Sequence, residues 1–296
     1  MEIEIKLLLP PNCCSKRLCD WRWPALLEAT SNDTLGNIYF DTDQQILRKK
    51  DMGLRIRRKG TQQEMTLKTA GEVVGGMHAR PEYNVDVVSD RPDLSLFPAG
   101  IFADDEVALI NAQLQPQFAT DFVRQKGELQ IVDAVVEVAL DQGEILAGEQ
   151  SLTIAELELE LISGDAKSLL PLVAEVMQQQ PLRLGLDSKA ARGYRLAQLQ
   201  PAAAVVTQWQ ETPAAVLSAW QRNEERLLCG DQQALAPLLS LWQQAQQWQS
   251  QPQWLARAQQ QLAASEVPQS TLVELLQQRQ YGLTQLALLT AWLQSN

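Results

Sequence analysis

Apolar and polar residues alternate with a period of two through much of the segment 2–162. This alternation predicts β-strands, because successive side chains of a strand point to opposite faces. Gly, Asn, Asp or Pro separates many of the segments, and short connections such as 59–62 predict hairpins between antiparallel neighbours. The predicted strands are 2–9, 37–42, 53–59, 63–69, 80–88, 118–126, 128–132, 135–142 and 152–162. Helices are predicted near 15–30, 104–115 and 165–180.

A helical period replaces this alternation after Pro201, where Leu, Trp and Ala recur among Gln residues. Such spacing predicts amphipathic helices whose apolar stripes pack together. The predicted helices are 212–229, 231–249, 252–264 and 270–294. Charge follows the same division, since residues 200–296 hold only four of the 25 Lys and Arg and six of the 36 Asp and Glu. The sequence therefore predicts two domains, 1–199 and 200–296.

Charged side chains occupy one face of several predicted strands. On the first strand, Glu2, Glu4 and Lys6 share one face, while Ile3 and Ile5 share the other. The pattern recurs at Arg55-x-Arg57, Thr66-x-Lys68, Arg80-x-Glu82-x-Asn84-x-Asp86, Thr120-x-Phe122-x-Arg124-x-Lys126 and Glu156-x-Glu158-x-Glu160. A solvated face would explain any single strand. Six strands with the same pattern favour a barrel with a polar interior and helices over its exterior.

The overall charge limits the possible partners. A formal net charge of -11 argues against a general nucleic-acid binder, which needs a surface rich in Lys and Arg. A small anionic substrate remains possible, because a local cluster of cations can bind it inside an acidic protein. The segment 1–6 shows no basic leader before an apolar run, and no later run is long and apolar enough for a membrane span. We expect a cytoplasmic protein without membrane contact.

Histidine and Walker-type chemistry are poorly represented in the sequence. No Gly-x-x-x-x-Gly-Lys-Ser/Thr loop occurs, and the only histidine, His78, follows Gly75-Gly76 in what is predicted to be a surface loop. What remains is a set of carboxylates and cations on facing strands. Carboxylate oxygens suit Mg²⁺ or Mn²⁺, while Arg and Lys are the side chains that grip phosphate oxygens.

The order of these motifs resembles that of the CYTH superfamily, the triphosphate tunnel metalloenzymes. Glu2-x-Glu4-x-Lys6 resembles the family signature. It is followed in order by Arg55-x-Arg57, Lys68, Arg80-x-Glu82, Arg124, Asp141, Glu156-x-Glu158-x-Glu160 and the segment 188–194. The resemblance covers nearly two thirds of the chain. It points most closely to bacterial inorganic triphosphatases that carry a C-terminal CHAD-like helical domain.

The resemblance implies an α+β fold, with an eight-stranded antiparallel β-barrel (tunnel), flanking helices and a small C-terminal all-α domain. It also implies three overlapping sets of site residues. The expected metal ligands are Glu2, Glu4, Asp141, Glu156, Glu158 and Glu160. The expected phosphate-binding residues are Lys6, Arg55, Arg57, Lys68, Arg80, Arg124, Lys189 and Arg192. The expected catalytic residues are Lys6, Arg55, Arg57, Lys68, Glu82 and Asp141.

Two of these assignments stay open within the resemblance. Asp141 and Glu82 could serve a second metal or position water. Of the three late glutamates, Glu158 and Glu160 are favoured as metal ligands, because the strand ends just after them.

The activity implied by the resemblance is hydrolysis of inorganic triphosphate to phosphate and pyrophosphate with Mg²⁺ or Mn²⁺. Hydrolysis of thiamine or nucleoside triphosphates and cyclisation of ATP are alternatives that use the same charged motifs. A non-catalytic phosphate-binding scaffold is a third alternative, although it would have no use for the carboxylates. Residues 200–296 carry a formal charge of -2. They are therefore expected to pack against the barrel or a second copy of the chain, rather than to bind polyphosphate.

Overall fold

A computed structural model describes residues 1–10, 28–250 and 252–295 of the chain. The strands are β1 (Glu2–Leu8), β2 (Glu28–Asp41), β3 (Gly53–Lys59), β4 (Gln62–Lys68), β5 (Glu72–Val74), β6 (Met77–Arg80), β7 (Glu82–Asp86), β8 (Gln115–Ile131), β9 (Ala134–Ala147), β10 (Gln150–Gly164) and β11 (Arg183–Leu184). The helices are α1 (Ile46–Lys49), α2 (Asp104–Gln113), α3 (Leu169–Gln179), α4 (Lys189–Leu196), α5 (Pro213–Leu228), α6 (Leu235–Ala245), α7 (Gln253–Ala263), α8 (Pro268–Leu276) and α9 (Arg279–Ser295).

The strands form a single curled antiparallel sheet in the order β5-β6-β1-β10-β9-β8-β2-β3-β4-β7, with β11 added beside β1. Only Pro81 separates β6, which pairs with β1, from β7, which pairs with β4. One chain segment therefore connects the β1 side of the sheet to the β4 side. When β6 and β7 are counted as one interrupted strand, eight antiparallel strands enclose the interior, as expected from the resemblance. We call this interior the tunnel.

The two faces of the strands have different surroundings. Glu4 and Lys6 of β1 point into the tunnel, whereas Ile5 and Leu7 point outwards and are fully buried under helices. A second buried cluster covers the outside of β3 and β4, where apolar side chains such as Leu54 meet the short α1 and the region around α2. Successive residues of a strand point to opposite faces, so the charged residues that face the tunnel alternate with the apolar residues that face the helices. This confirms the predicted polar interior.

Several boundaries differ from the sequence prediction. Most of the helix predicted near 15–30 falls on residues 11–27, which lie outside the described part of the chain. The last residues of that predicted helix, 28–30, belong to strand β2. The predicted strands 118–126 and 128–132 are one continuous strand, β8. The predicted helix 270–294 is two helices, and the first starts at Pro268, a residue favoured in the first turn.

The C-terminal helices pack on the barrel. A single buried apolar cluster contains Ile5 and Leu7 of β1 together with Trp220 of α5 and Leu289 of α9. Polar contacts also cross the boundary, for example the ion pair between Arg183 and Glu224 at 2.8 Å. The division into domains 1–199 and 200–296 stays a prediction, but the helices predicted to pack against the barrel do so within this chain. No helix in the described residues has the length and apolar character of a membrane span.

Glycine allows the closest of these approaches. At Gly75, in the β5–β6 turn with a positive φ of 56°, an added Cβ would collide with the Leu217 side chain of α5. At Gly282, an added Cβ would collide with the carbonyl oxygen of Leu182, just before β11. The helices are therefore seated closer to the barrel than any larger side chain would permit.

We predict that Gly282→Ala destabilises the protein by about 1–3 kcal/mol, because the new methyl group is forced against a backbone oxygen. An ordinary Gly→Ala change inside a helix stabilises it by up to about 1 kcal/mol, so the sign of the effect tests the close approach. Urea unfolding would measure it, with the exposed Gln280→Ala on the same helix as the control. A more stable Gly282→Ala protein would contradict this packing.

Candidate active site

The tunnel contains a cavity of about 330 Å³ whose wall is built largely from charged side chains. Twelve residues predicted from the sequence line it: Glu2, Glu4, Lys6, Arg55, Arg57, Lys68, Arg80, Glu82, Arg124, Glu158, Glu160 and Lys189. Three predicted residues, Asp141, Glu156 and Arg192, lie behind this wall. The strand register explains the grouping, since Glu4 lies opposite Glu160 and Lys6 opposite Glu158 in the β1–β10 pair.

One side of the wall continues into a buried ion-pair network, four of whose members line the cavity. It consists of Asp141, Glu156, Glu158, Lys6, Arg124, Lys189 and Arg192. Arg124 donates two hydrogen bonds to Asp141, at 2.7 and 2.6 Å, and Lys189 lies 2.6 Å from the same carboxylate. Three carboxylates therefore face four cations, which compensates for the cost of burying charge.

The pKa shifts in this network follow from its charges. Burial alone would raise the pKa of Glu158, but Lys189, Lys6 and Arg124 hold it well below the usual range. Burial would lower the pKa of Lys6, but the carboxylates of Glu156 and Glu158 hold it well above its usual value. Glu158 and Lys6 therefore stay charged at neutral pH.

A second group of carboxylates in the tunnel is poorly compensated. It consists of Glu2, Glu4, Glu82 and Glu160, and we call it the acidic cluster. Two lysines lie beside it: Lys68 is 2.6 Å from Glu2 and 2.8 Å from Glu82, and Lys6, already paired with Glu156 and Glu158, is 3.8 Å from Glu4. Burial raises the pKa of Glu2 to about 7, with Lys68 opposing and Glu4 adding to the shift. Burial also raises the pKa of Glu160 to about 7, opposed by Lys68 and assisted by Glu137. An additional cation would relieve this crowding.

Cations are crowded elsewhere in the same cavity. Burial and the charges of Arg55 and Arg124 lower the pKa of Arg57 to about 10. Its Nε donates to the Asn37 side-chain oxygen at 3.0 Å, and it has no ion pair with a carboxylate among the described residues. The Nε of Arg55 is buried and has no hydrogen-bond partner in the described part of the chain. An anion placed between Arg55, Arg57 and Arg124 would satisfy these groups.

His78 was predicted to lie in a surface loop, and this prediction is wrong. It belongs to β6, opposite Glu4 of β1, and is only 3% exposed. Its Nε2 lies 3.4 Å from the Gly185 carbonyl oxygen, and Arg80 lies 3.3 Å from its Nδ1. Burial lowers its pKa to about 4; Glu4 opposes the shift, while Lys6 and Arg80 increase it. The ring is therefore neutral at physiological pH, and the Gly75-Gly76 turn is part of a hairpin that extends the sheet.

The acidic residues fit a hard divalent cation. Asp141, Glu156 and Glu158 each offer a carboxylate oxygen, and these atoms lie within 4.8 Å of one another. Their charges are already matched by neighbouring cations, however, whereas the four carboxylates of the acidic cluster outnumber theirs. Both sets offer only oxygen ligands, as Mg²⁺ and Mn²⁺ prefer. The shortage of positive charge favours the acidic cluster as the place for a divalent cation, with Glu158 at the border of that cluster.

Asn37 and Tyr39 of β2 also belong to the site, although the sequence pattern did not predict them. Asn37 holds Arg57, and Tyr39 lines the cavity. Burial would raise the pKa of Tyr39, but the charge and hydrogen bond of Arg55, with Lys189 and Arg57, lower it below the usual value. The register pairs Asn37 with Arg57 and Tyr39 with Arg55. In the sequence, the available signal was that Asn37 and Tyr39 lie two residues apart and therefore share one face of a predicted strand. That face can be identified as the tunnel face only when the β2–β3 register is known.

We predict that His78 makes the stability of the ligand-free protein depend on pH. Its pKa is about 4 in the folded protein against 6.5 for the free side chain, so the unfolded chain binds a proton that the folded protein does not. The associated stability is present above pH 6.5 and is lost as the pH falls towards 4, by about 2 kcal/mol between pH 8 and pH 5. Urea unfolding of the wild type and His78→Gln at both pH values would measure it. Equal losses in the two proteins would contradict the prediction.

Three known proteins are similar to this chain in sequence or in structure. The inorganic triphosphatase of Haemophilus influenzae is 35% identical over 210 residues, which are 71% of this chain and 59% of that protein. A candidate adenylyl cyclase from Hippeastrum, described as having a dominant triphosphatase activity, is 21% identical over 66% of this chain and 96% of its own, with a TM-score of 0.49. A candidate adenylate cyclase from Bacillus halodurans is 21% identical over 60% of this chain and 89% of its own, with a TM-score of 0.37.

The match to the curated relative is partial, because this chain spans 59% of that protein's length. The family model of the CYTH domain matches residues 1–194, which include every predicted residue of the tunnel site. The chain belongs to the CYTH domain family.

Proposed function

We propose that the tunnel hydrolyses inorganic triphosphate to phosphate and pyrophosphate with the help of Mg²⁺ or Mn²⁺. One observation carries the proposal. A single cavity contains arginines without a carboxylate ion pair within the residues that the structure describes, Arg55 and Arg57, and carboxylates that outnumber their cations, Glu2, Glu4, Glu82 and Glu160. A triphosphate with a bound divalent cation carries the two complementary charges. The name of the Haemophilus influenzae relative supports the same activity.

Each set of tunnel residues has a part in this proposal. Glu2, Glu4 and Glu160, with Glu158, would hold the metal, which when bound would neutralise phosphate charge and help to activate water. The phosphate oxygens would be held by Lys6, Arg55, Arg57, Lys68, Arg80, Arg124 and Lys189. Because these cations are fixed before the substrate arrives, they can stabilise the charge that develops on the phosphates without reorganisation.

The remaining predicted residues fit supporting parts. Lys68 and Arg55 keep the pKa of Glu82 low although burial opposes this, so Glu82 is ionised and can orient the attacking water. Asp141 is fully buried and forms a fork with Arg124. This geometry suits the orientation of Arg124 better than direct contact with water or a metal. Arg192 binds Glu156 behind the wall and would position the network rather than grip phosphate.

Reactions on triphosphates with an aromatic base are less well supported. Two tyrosines reach the cavity wall, but Tyr39 stacks on Phe118 with ring centroids 4.7 Å apart. Tyr194 donates to Asp41 at 2.8 Å and is 1% exposed. With Tyr39 only 5% exposed, neither ring offers an exposed platform for a base or for thiamine. Inorganic triphosphate, which needs no such platform, suits this wall best.

The first test compares phosphate release from inorganic triphosphate, ATP, thiamine triphosphate and long-chain polyphosphate, with Mg²⁺ and with Mn²⁺. We expect the highest kcat/KM for inorganic triphosphate and no turnover after metal removal. Glu160→Gln should lose turnover by at least about a hundredfold, because it keeps the shape of the side chain and removes one ligand charge. Glu149→Gln, an exposed carboxylate between β9 and β10, is the control. Metal-dependent turnover at the wild-type rate in Glu160→Gln would refute the metal assignment.

The second test uses neighbouring arginines of β3. Arg57 points into the tunnel, whereas Arg58 points outwards and pairs with Asp90 at 2.8 Å. We predict that Arg57→Ala abolishes most of the rise in melting temperature produced by triphosphate, and that Arg58→Ala keeps it. Without ligand, Arg57→Ala should melt no lower than the wild type, because repulsion from Arg55 and Arg124 is removed. A large fall in that ligand-free melting temperature would identify Arg57 as a structural residue instead.

A further inference from the structure

Helix α5, in the C-terminal half of the chain, contacts the segment that leads into the tunnel wall. Segment 183–188 contains β11 and runs directly into α4, whose first residue is Lys189. Gln221 donates to the Leu184 carbonyl oxygen at 3.0 Å, and Glu224 pairs with Arg183 at 2.8 Å. These contacts are buried, so they hold the segment more firmly than surface ion pairs would.

A second set of contacts fixes α4 itself. Asp187 accepts hydrogen bonds from Arg222 of α5 at 3.0 and 3.2 Å, and from Arg195 in the last turn of α4 at 2.6 Å. Arg195 also reaches Glu225 of α5 at 3.1 Å. We call these four residues, Asp187, Arg195, Arg222 and Glu225, the α5 clamp. Asp187 is its centre, and its side chain is only 12% exposed.

The clamp lies next to charged groups of the tunnel. Asp187 precedes Ser188, whose hydroxyl accepts from the Ala191 amide at 3.1 Å and caps α4. The next residue, Lys189, is 6% exposed and contacts all three carboxylates of the buried network. A shift at the beginning of α4 would therefore move Lys189 relative to Asp141, Glu156 and Glu158. Small displacements of charged groups in such a site are costly to turnover.

We propose that Asp187 is a positioning residue, and that through it α5 sets the place of Lys189 in the tunnel. The helices of residues 200–296 are then a working part of the site rather than an appendage. The proposal rests on the proposed triphosphatase function for its kinetic readout, but not for its structural readout. It assigns a role to Asp187, Arg195, Arg222 and Glu225, which the motif-based site does not include.

The chain offers a matched control for the experiment. Arg226 of α5 pairs with Asp231 at 2.6 Å, which is a similar, partly exposed ion pair made entirely within the C-terminal helices. Asp187→Asn and Asp231→Asn each replace a carboxylate by an amide of the same shape. Arg222→Ala and Arg226→Ala remove the partner arginines, and Arg222→Lys restores the charge at the first site. All variants are made in the full chain and are checked by melting temperature.

Two readouts are measured on each variant. In Asp187→Asn and Arg222→Ala we expect kcat for triphosphate to fall about tenfold with less than a twofold change in KM. Arg222→Lys should recover much of that loss, and the Asp231 and Arg226 controls should stay near the wild-type rate. Without any ligand, the amides of 189–196 should exchange with deuterium at least about tenfold faster in the two clamp variants, but not in the controls.

The outcomes separate this inference from the proposed function. If the wild type does not hydrolyse triphosphate, the proposed function fails, and amide exchange alone decides whether the clamp holds α4. Wild-type exchange in both clamp variants overturns the inference, as does faster exchange without a loss of kcat in an active enzyme. Equal losses in the clamp variants and the controls would also overturn it, because they would show a general loss of stability. If Asp187→Asn does not fold, Arg222→Ala and Arg222→Lys supply the same comparison.

Discussion

Charge buried inside a barrel must be compensated, and the arrangement of the tunnel follows from this requirement. Removing a carboxylate or an ammonium group from water costs several kcal/mol unless a partner with good geometry replaces the water. In the buried network the requirement is met within the protein, where Asp141, Glu156 and Glu158 have Lys6, Lys189 and two arginines as partners. Around Arg57, and around Glu2 and Glu160, it is only partly met, so the free energy of the empty site is raised in a way that a ligand can relieve.

The paired network and the less compensated groups differ in how freely they can move and in what they can bind. The paired network is rigid, because moving one member leaves several others without partners. The less compensated groups beside it are held by the sheet, and the shifted pKa values of Glu2, Glu160 and Arg57 reflect burial with too few partners of opposite charge. A site prepared in this way binds a charged substrate without rearranging the protein.

The alternation of residues on β1, β3 and β4 was enough to predict which side chains face the tunnel, because parity along a strand is local information. The partners of each charge could not be predicted in the same way. Whether Glu158 or Glu160 stands beside Lys6 depends on the register of β1 with β10, which joins residues about 150 positions apart. The prediction for His78 was wrong for a related reason. The two glycines before it suggest a loop, and its place in a strand depends on the pairing of β6 with β1, which are about 70 residues apart in the sequence. The assignment of roles to the individual residues of the site stays a prediction.

The pairing of β1 with β10 and β11 has a consequence for how the chain folds. The first strand is synthesised long before either of its late partners, and contacts between distant parts of the sequence form slowly. The hairpins from β3 to β4 and from β8 to β10 can assemble earlier, since their partners are adjacent in sequence. We therefore expect the charges of the tunnel to stay hydrated through most of folding. They lose water only when the ring closes around them, at a stage when α5 is also available to dock.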